Sequence, residues 1–225
     1  MARPYLSDAA DRLIISHGLQ SGDVSVDSGV VWARADRPSR LTVEISASDS
    51  FRTLLRAVNL DALPKSYFAV KALIDGLPSG QDIFYRVTAA DLSAPTVKGE
   101  PMVGRFRTAP ADRRSISFVW SSDTAGQGWG IDESRGGMRI YETMRRLRPD
   151  FFLHSGDTIY ADGPIEAEKK WKDGTAWKTL VTEDKAKVAE TIEEFRGNYK
   201  YNSSTATFAH SRPKSRCWRN GTTMR

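Results

Sequence analysis

The sequence predicts an antiparallel β-sandwich followed by the start of an α/β domain. Short alternating or continuous apolar runs, separated by turn-forming residues, recur over residues 13–108 with no helical pattern between them. From residue 115 onward the pattern changes to strand, helix and strand, which is typical of a parallel βαβ unit. These two observations place a sheet-only half before a mixed half.

The first half is predicted to contain several short strands, and five of them are well marked by apolar and β-branched residues: Val30–Arg34, Leu41–Ile45, Tyr67–Val70, Ile83–Val87 and Gly104–Thr108. Between them, the stretch from Leu73 to Val87 combines a leucine, a Pro-Ser-Gly turn and a Tyr-Arg-Val run. This stretch resembles the E–F corner of a fibronectin type III domain, which is a packing feature and carries no chemistry.

A short polar linker, Thr108–Arg114, divides the chain into a predicted sandwich over residues 1–110 and a partial α/β domain over residues 111–202. In the α/β half we predict the strands Ser115–Ser121 and Phe151–His154, parallel and buried, joined by a helix over Gly137–Arg148. Apolar residues at helical spacing predict a further helix over Thr182–Arg196.

Each strand of the predicted βαβ unit runs into an aspartate, Asp123 after the first and Asp157 after the second. Parallel strands deliver both carboxylates to the same edge of a sheet, where they repel each other unless a cation lies between them. Hard oxygen ligands of this kind suit divalent or trivalent metals. Gly156 permits a sharp turn, and Tyr160 follows Asp157 closely enough to reach the same ion. The alternative is that each aspartate only caps the turn after its strand.

Other polar and aromatic residues in this half are weaker candidates. His154 either fills a satisfied core position or, with Ser122, supports the metal ligands through hydrogen bonds. The loop Gly126–Gly130 does not fit a dinucleotide site, because no glycine stands three residues after Gly128. Trp129 in this loop is instead expected either to pack or to form a pocket wall. Trp171 and Trp177 are expected to be aromatic anchors of a solvated excursion, with no assigned function.

Several motifs together resemble the alkaline phosphatase D (PhoD-like) metallophosphoesterase family. Gly156–Tyr160 also resembles a signature of purple acid phosphatases, but the wider run and three further motifs are closer to alkaline phosphatase D: His154–Gly163, His17–Asp23, Ser122–Gly130 and Phe195–Tyr201. The resemblance covers residues 13–202. It implies a fibronectin-like sandwich that is followed in the chain by an α/β metallophosphoesterase domain of four layers, αββα.

The resemblance also implies a site and a reaction. Asp123 would ligate one metal, Asp157 would bridge two, and Tyr160 would bind a ferric ion as phenolate. The implied cofactors are iron and calcium, and the implied reaction is hydrolysis of phosphomonoesters or phosphodiesters. Many relatives carry a cysteine near the position of Asp123, whereas this chain has the Ser-x-Asp-Thr form.

The last residues, 203–225, depart from the family. They contain no Trp-Asp-Asp-His-Glu motif, and the chain has three histidines in all, His17, His154 and His210. Back-translation of Arg212–Arg225 in a shifted frame can spell that motif. We therefore expect an aberrant basic tail after about Asn202, produced by a frameshift or a sequence error, and a truncated, inactive chain.

The charge of the chain agrees with that interpretation. The net charge is +5, but residues 203–225 hold five basic residues and no acidic one, which leaves 28 basic against 28 acidic residues elsewhere. A nucleic-acid partner is therefore not expected, and neither is a membrane. The only cysteine, Cys217, lies in the tail, so no disulfide framework is expected.

The function predicted from all of this is metal-dependent hydrolysis of a phosphate ester by a monomer. Export to the periplasm or the medium is expected from the resemblance alone, since no signal peptide is visible. Two alternatives remain open from the sequence. One is a non-catalytic ligand-binding protein built on the β-sandwich, and the other is a nucleic-acid binder that uses the basic tail.

Overall fold

The structure is a computed structural model that describes residues 12–124 and 128–203. In this range the chain forms two compact units, residues 12–115 and residues 116–203. The predicted basic tail lies outside the described residues. Among the helices of the described ranges, none has both the length and the apolar content required to span a lipid bilayer.

The first unit is built from seven antiparallel strands: β1 (Ile15–Gly22), β2 (Gly29–Ala35), β3 (Ser39–Ser46), β4 (Arg56–Ala62), β5 (Ala69–Ile74), β6 (Asp82–Asp91) and β7 (Met102–Arg107). They form a three-stranded sheet of order β1-β2-β5 and a four-stranded sheet of order β4-β3-β6-β7. This is the strand order of a fibronectin type III domain, so the predicted sandwich is confirmed.

The core of the sandwich follows from strict alternation along its strands. In β2 and β3 every second side chain is buried, and one continuous cluster joins both sheets. Its largest members include Tyr85 and Phe106, each about 1% exposed, with ring centroids 6.0 Å apart. The aromatic pair contributes packing beyond the area that it buries.

The predicted E–F corner is confirmed. β5 ends in one sheet and β6 begins in the other, so the residues between them cross from sheet to sheet. Leu77 is buried at the crossing, where the Thr108 hydroxyl donates to the carbonyl of Pro78 at 2.7 Å. The same hydroxyl accepts from the amide of Gln81 at 3.0 Å.

One predicted strand of the sandwich was displaced, and two were missed. The predicted strand Tyr67–Val70 begins only at Ala69, because a 3-10 helix over Pro64–Ser66 precedes it and Tyr67 and Phe68 both have positive φ. Left-handed backbone cannot continue a strand. The strands β1 and β4 were not singled out, since neither carries a long alternating apolar run.

The second unit begins with the predicted βαβ arrangement. Strand β8 (Phe118–Ser121) pairs in parallel with β9 (Phe151–His154), and helix α1 (Arg139–Arg146) lies between them in the chain. β8 starts later than predicted, and α1 is shorter at both ends. Arg148 has a φ of 54° immediately before Pro149, which ends the helical backbone.

The prediction that these two strands are buried was wrong for the described residues. On one face Tyr141 of α1 packs edge-on against Phe152, with ring centroids 6.0 Å apart. On the other face Phe118 is 56% exposed and Trp120 is 61% exposed. The apolar residues mark the strands correctly, but only one face is covered.

The helix predicted over Thr182–Arg196 was also wrong in position. A 3-10 helix covers Glu183–Lys185, and helix α2 covers Ile192–Ser203. A capping box sets its start: the Glu194 carboxylate accepts from the Thr191 amide at 3.0 Å, and the Glu194 amide donates to the Thr191 hydroxyl at 3.3 Å.

The segment that contains Trp171 and Trp177 is a hairpin of β10 (Glu168–Lys170) and β11 (Ala176–Lys178). Its tryptophans are aromatic anchors, as predicted, because both pack against Trp129. The ring centroids of Trp129 lie 4.8 Å from Trp171 and 5.9 Å from Trp177. The Trp177 indole donates to the carbonyl of Gly130 at 3.0 Å. Of the two roles expected for Trp129, the structure shows packing.

Candidate metal centre

The candidate site lies at the carboxyl ends of β8 and β9. Beyond the paired residues, the Ser155 amide donates to the carbonyl of Ser121 at 3.0 Å, and the two chains then leave the sheet. Asp123 follows β8 and Asp157 follows β9 within a few residues. The parallel pairing therefore brings both aspartates to one edge, as predicted.

The two aspartate loops are joined directly by hydrogen bonds. The Asp157 amide donates to Oδ1 of Asp123 at 2.9 Å, and the Thr124 amide donates to the carbonyl of Asp157 at 2.8 Å. The bond from the Asp157 amide, followed by one from the Tyr160 hydroxyl, lowers the pKa of Asp123 below its ordinary value. Asp123 is therefore a carboxylate at neutral pH.

Gly156 is required by the close approach of the two loops. A β-carbon at this position would overlap Oδ1 of Asp123 and would lie 2.7 Å from both the Asp123 amide nitrogen and Oγ of Ser122. The absence of a side chain thus allows the Asp157 amide to reach the Asp123 carboxylate. The sequence indicated a sharp turn at this glycine, whereas the structure shows a close approach.

Tyr160 lies close enough to both aspartates for their charges to act on its hydroxyl group. Desolvation, then hydrogen bonding to Asp123 and the charges of both aspartates, raise the pKa of Tyr160 to about 12. The structure therefore brings together the three residues predicted as ligands. Their role in binding metal stays a prediction.

Ser122 and His154 lie beside this cluster in different ways. A hydrogen bond from Ser122 contributes to the lowered pKa of Asp123. His154 contacts Thr124 and Phe152: its Nε2 lies 2.9 Å from the hydroxyl of Thr124, and its ring packs edge-on against Phe152. The same threonine hydroxyl is hydrogen-bonded to Tyr141 of α1. This Thr124 network was not predicted, although Thr124 follows Asp123 directly.

The chemistry of the three converging groups fits a hard cation. Two carboxylates and one phenol oxygen are ligands that such cations prefer. A bound cation would favour the phenolate over the phenol and so reverse the raised pKa of Tyr160. Within residues 12–124 and 128–203, no three His, Cys, Asp or Glu side chains are grouped to hold a metal. The three oxygens are thus a partial ligand set.

The sequence did not predict the residues that bind the backbone of the Asp157–Tyr160 loop. Lys185 is 5% exposed, and its ammonium donates to the carbonyl of Tyr160 and to Oδ1 of Asn198, each at 2.6 Å. Asn202 donates from Nδ2 to the carbonyl of Thr158 at 2.6 Å. Asn198 lies within the Phe195–Tyr201 motif, but no pattern in the sequence pointed to Lys185.

Two family models match the chain. The model described as PhoD-like phosphatase, N-terminal domain, matches residues 2–110, and the model described as PhoD-like phosphatase matches residues 118–215. Alkaline phosphatase D of Bacillus subtilis (strain 168) is 26% identical over 164 residues, which are 68% of this chain and 26% of that protein.

A solved structure titled "Structure of PhoD" has the same fold. It aligns with 96% of this chain and 40% of its own chain, at 22% identity and a TM-score of 0.69. The chain spans about a quarter of the length of the curated relative, alkaline phosphatase D of Bacillus subtilis. Because models of both parts of one family match in the expected order, the chain belongs to the PhoD-like phosphatase family.

Proposed function

We propose that residues 116–203 carry the first part of a metal site that hydrolyses phosphate esters. The observation that carries this proposal is the convergence of Asp123, Asp157 and Tyr160 at the carboxyl ends of two parallel strands. Family membership supports phosphoesterase chemistry, and the hard oxygen donors support metal dependence.

The charge of the site is the reason for invoking a metal. A phosphate ester is an anion, and two carboxylates at the same sheet edge repel it. Bound cations would reverse that field and, in a binuclear site, would polarise the phosphoryl oxygen and supply an activated water. In this proposal Asp123 and Asp157 would hold the cations and Tyr160 would bind iron as phenolate, with calcium as the second metal.

The remaining elements of the proposal rest on the family resemblance. The substrate is a phosphate monoester or diester, the protein is a monomer exported from the cytoplasm, and neither nucleic acid nor membrane is a partner. Three oxygen donors leave most of a metal's coordination shell to water. For this reason we propose that the present chain by itself binds cations weakly and turns over slowly or not at all.

Calcium titration by calorimetry tests the proposed site, with orthophosphate added afterwards to the loaded protein. The wild type should bind calcium, and Asp157→Asn should weaken binding by about ten-fold or more, the size of effect expected for a group that supports a metal. Asp49→Asn, which removes the same charge from an exposed position of the sandwich, should bind like the wild type. Orthophosphate should bind only in the presence of calcium. Equal calcium binding by the wild type and Asp157→Asn would contradict the proposal.

A further inference from the structure

The loop that carries Asp157 and Tyr160 is fastened by side chains from outside the βαβ unit. Lys185, at the end of the 3-10 helix Glu183–Lys185, donates to the carbonyl of Tyr160 at 2.6 Å. Asn202, in the last turn of α2, donates to the carbonyl of Thr158 at 2.6 Å. Two carbonyl groups of one short loop are thus bound by groups that are distant in the chain.

Asn198 binds Lys185 to helix α2. Its Oδ1 accepts from the Lys185 ammonium at 2.6 Å, and its Nδ2 donates to the carbonyls of Asp184 and Glu194 at 3.1 and 3.0 Å. Asn198 is 2% exposed and uses both ends of its amide. Lys185 is thus bound to α2, the helix that also carries Asn202, and we call Lys185, Asn198 and Asn202 the carbonyl clamp.

Close packing supports the clamp from both sides. A β-carbon at Gly197 would overlap the Asp184 side chain, so the glycine lets α2 approach the 3-10 helix. The Lys185 ammonium also lies 5.6 Å from the centroid of the Tyr201 ring. These contacts hold the lysine in one place, because a buried ammonium without such partners would be costly.

Burial of the charged Lys185 ammonium costs free energy of solvation, and its contact with the site accounts for why a lysine stands here. Its hydrogen-bond acceptors described above, a backbone carbonyl and an amide oxygen, are neutral, and burial lowers the pKa of the lysine although the charge of Asp162 opposes that shift. An apolar side chain would fill the same space without that desolvation. What it could not do is hold the Tyr160 carbonyl, and with it the backbone between Asp157 and Tyr160.

We propose that Lys185, Asn198 and Asn202 are positioning residues that fix the Asp157–Tyr160 loop for cation binding. This inference rests on the proposed metal site and names what organises it. Each residue acts through a backbone carbonyl and touches no reacting atom. Loss of the clamp frees the loop while the sheet pairing of β8 and β9 remains.

Amide hydrogen exchange of the metal-free 225-residue chain tests the clamp without reference to metal. Lys185→Met keeps the chain length of the side chain but removes its donors, and Asn202→Ala is a milder change at a half-buried position. Both variants should speed exchange in residues 156–160 by about ten-fold or more, with exchange in β2 and β3 unchanged. Lys200→Met, which removes an ion pair 3.7 Å long to Asp184 from the same helix, should leave residues 156–160 at the wild-type rate.

Calcium affinity of the same variants then separates the clamp from the proposed function. Faster exchange in Lys185→Met and Asn202→Ala together with about ten-fold weaker calcium binding supports the inference. Should the wild type bind no calcium while the exchange effect is present, the proposed function fails and the clamp stands as a loop-ordering device. Unchanged exchange in Asn202→Ala overturns the clamp, whatever the wild type binds. If Lys185→Met does not fold, Asn202→Ala decides alone.

Discussion

Replacing Gly156 with alanine tests whether the close approach at this glycine builds the site. The added methyl group would overlap Oδ1 of Asp123 and lie 2.7 Å from the Asp123 amide nitrogen. Ordinary contacts between carbon atoms are about 3.5–4.0 Å, so one partner must move. Because one of the partners is backbone, the Asp123 loop must shift away from the Asp157 loop.

The expected size of this effect follows from the packing. Overpacking of this kind costs about 1–3 kcal/mol. With a urea dependence of about 2 kcal/mol per molar, a loss of about 2 kcal/mol lowers the unfolding midpoint by about 1 M. The shift should also break the bond from the Asp157 amide to Asp123 and weaken calcium binding by about ten-fold.

Urea unfolding followed by tryptophan fluorescence measures the effect, since four of the five tryptophans in the described residues belong to the second unit. Gly163→Ala is the matched control, because a β-carbon there meets no atom within 4 Å. It should unfold and bind calcium like the wild type. A Gly156→Ala protein with the wild-type midpoint and wild-type calcium affinity would refute the packing argument.

Two further predictions concern the fold. Leu41→Ala in the sandwich core, at 0% exposure, should destabilise the first unit by about 2–5 kcal/mol, whereas Leu73→Ala, at 65% exposure, should change it by about 0.5 kcal/mol or less, both measured by urea unfolding. In α2, the hydrogen bond from Lys187, followed by bonds from the amides of Glu190 and Thr191, lowers the pKa of Glu194 from 4.5 to about 2. A lowered folded-state pKa contributes stability above the unfolded value of 4.5 and loses it as the pH falls toward 2. Glu194→Gln should therefore be less stable than the wild type at pH 7, and a persistent difference at pH 2 would show another cause.

The parts of this fold that sequence could predict depend on local periodicity. Alternation in β2 and β3 identifies both strands, and the turn residues before β6 identify the corner. The positions of Asp123 and Asp157 were predictable for a related reason: parallel strands end at one edge, so residues that follow them must meet. Local pattern and one topological rule were sufficient for both.

Other features were not predictable because their causes lie far apart in the chain. Lys185 binds the carbonyl of Tyr160 from 25 residues away, and nothing in its neighbourhood distinguishes it from a surface lysine. The start of α2 did have a local signal, the Thr191–Glu194 capping box. The helical spacing of Val188 and Ile192 predicts an earlier start, yet both side chains are exposed, at 46% and 58%.

Ferric ion titration followed by visible absorption tests the central claim most directly. Iron supplied as a soluble chelate should give the wild-type chain a phenolate-to-iron charge-transfer band that saturates at one iron per protein. Tyr160→Phe should lack the band, and Asp157→Asn should require about ten-fold or more iron to approach it. A band of equal intensity in Tyr160→Phe, or no iron binding by the wild type, would contradict the account of Asp123, Asp157 and Tyr160 as metal ligands.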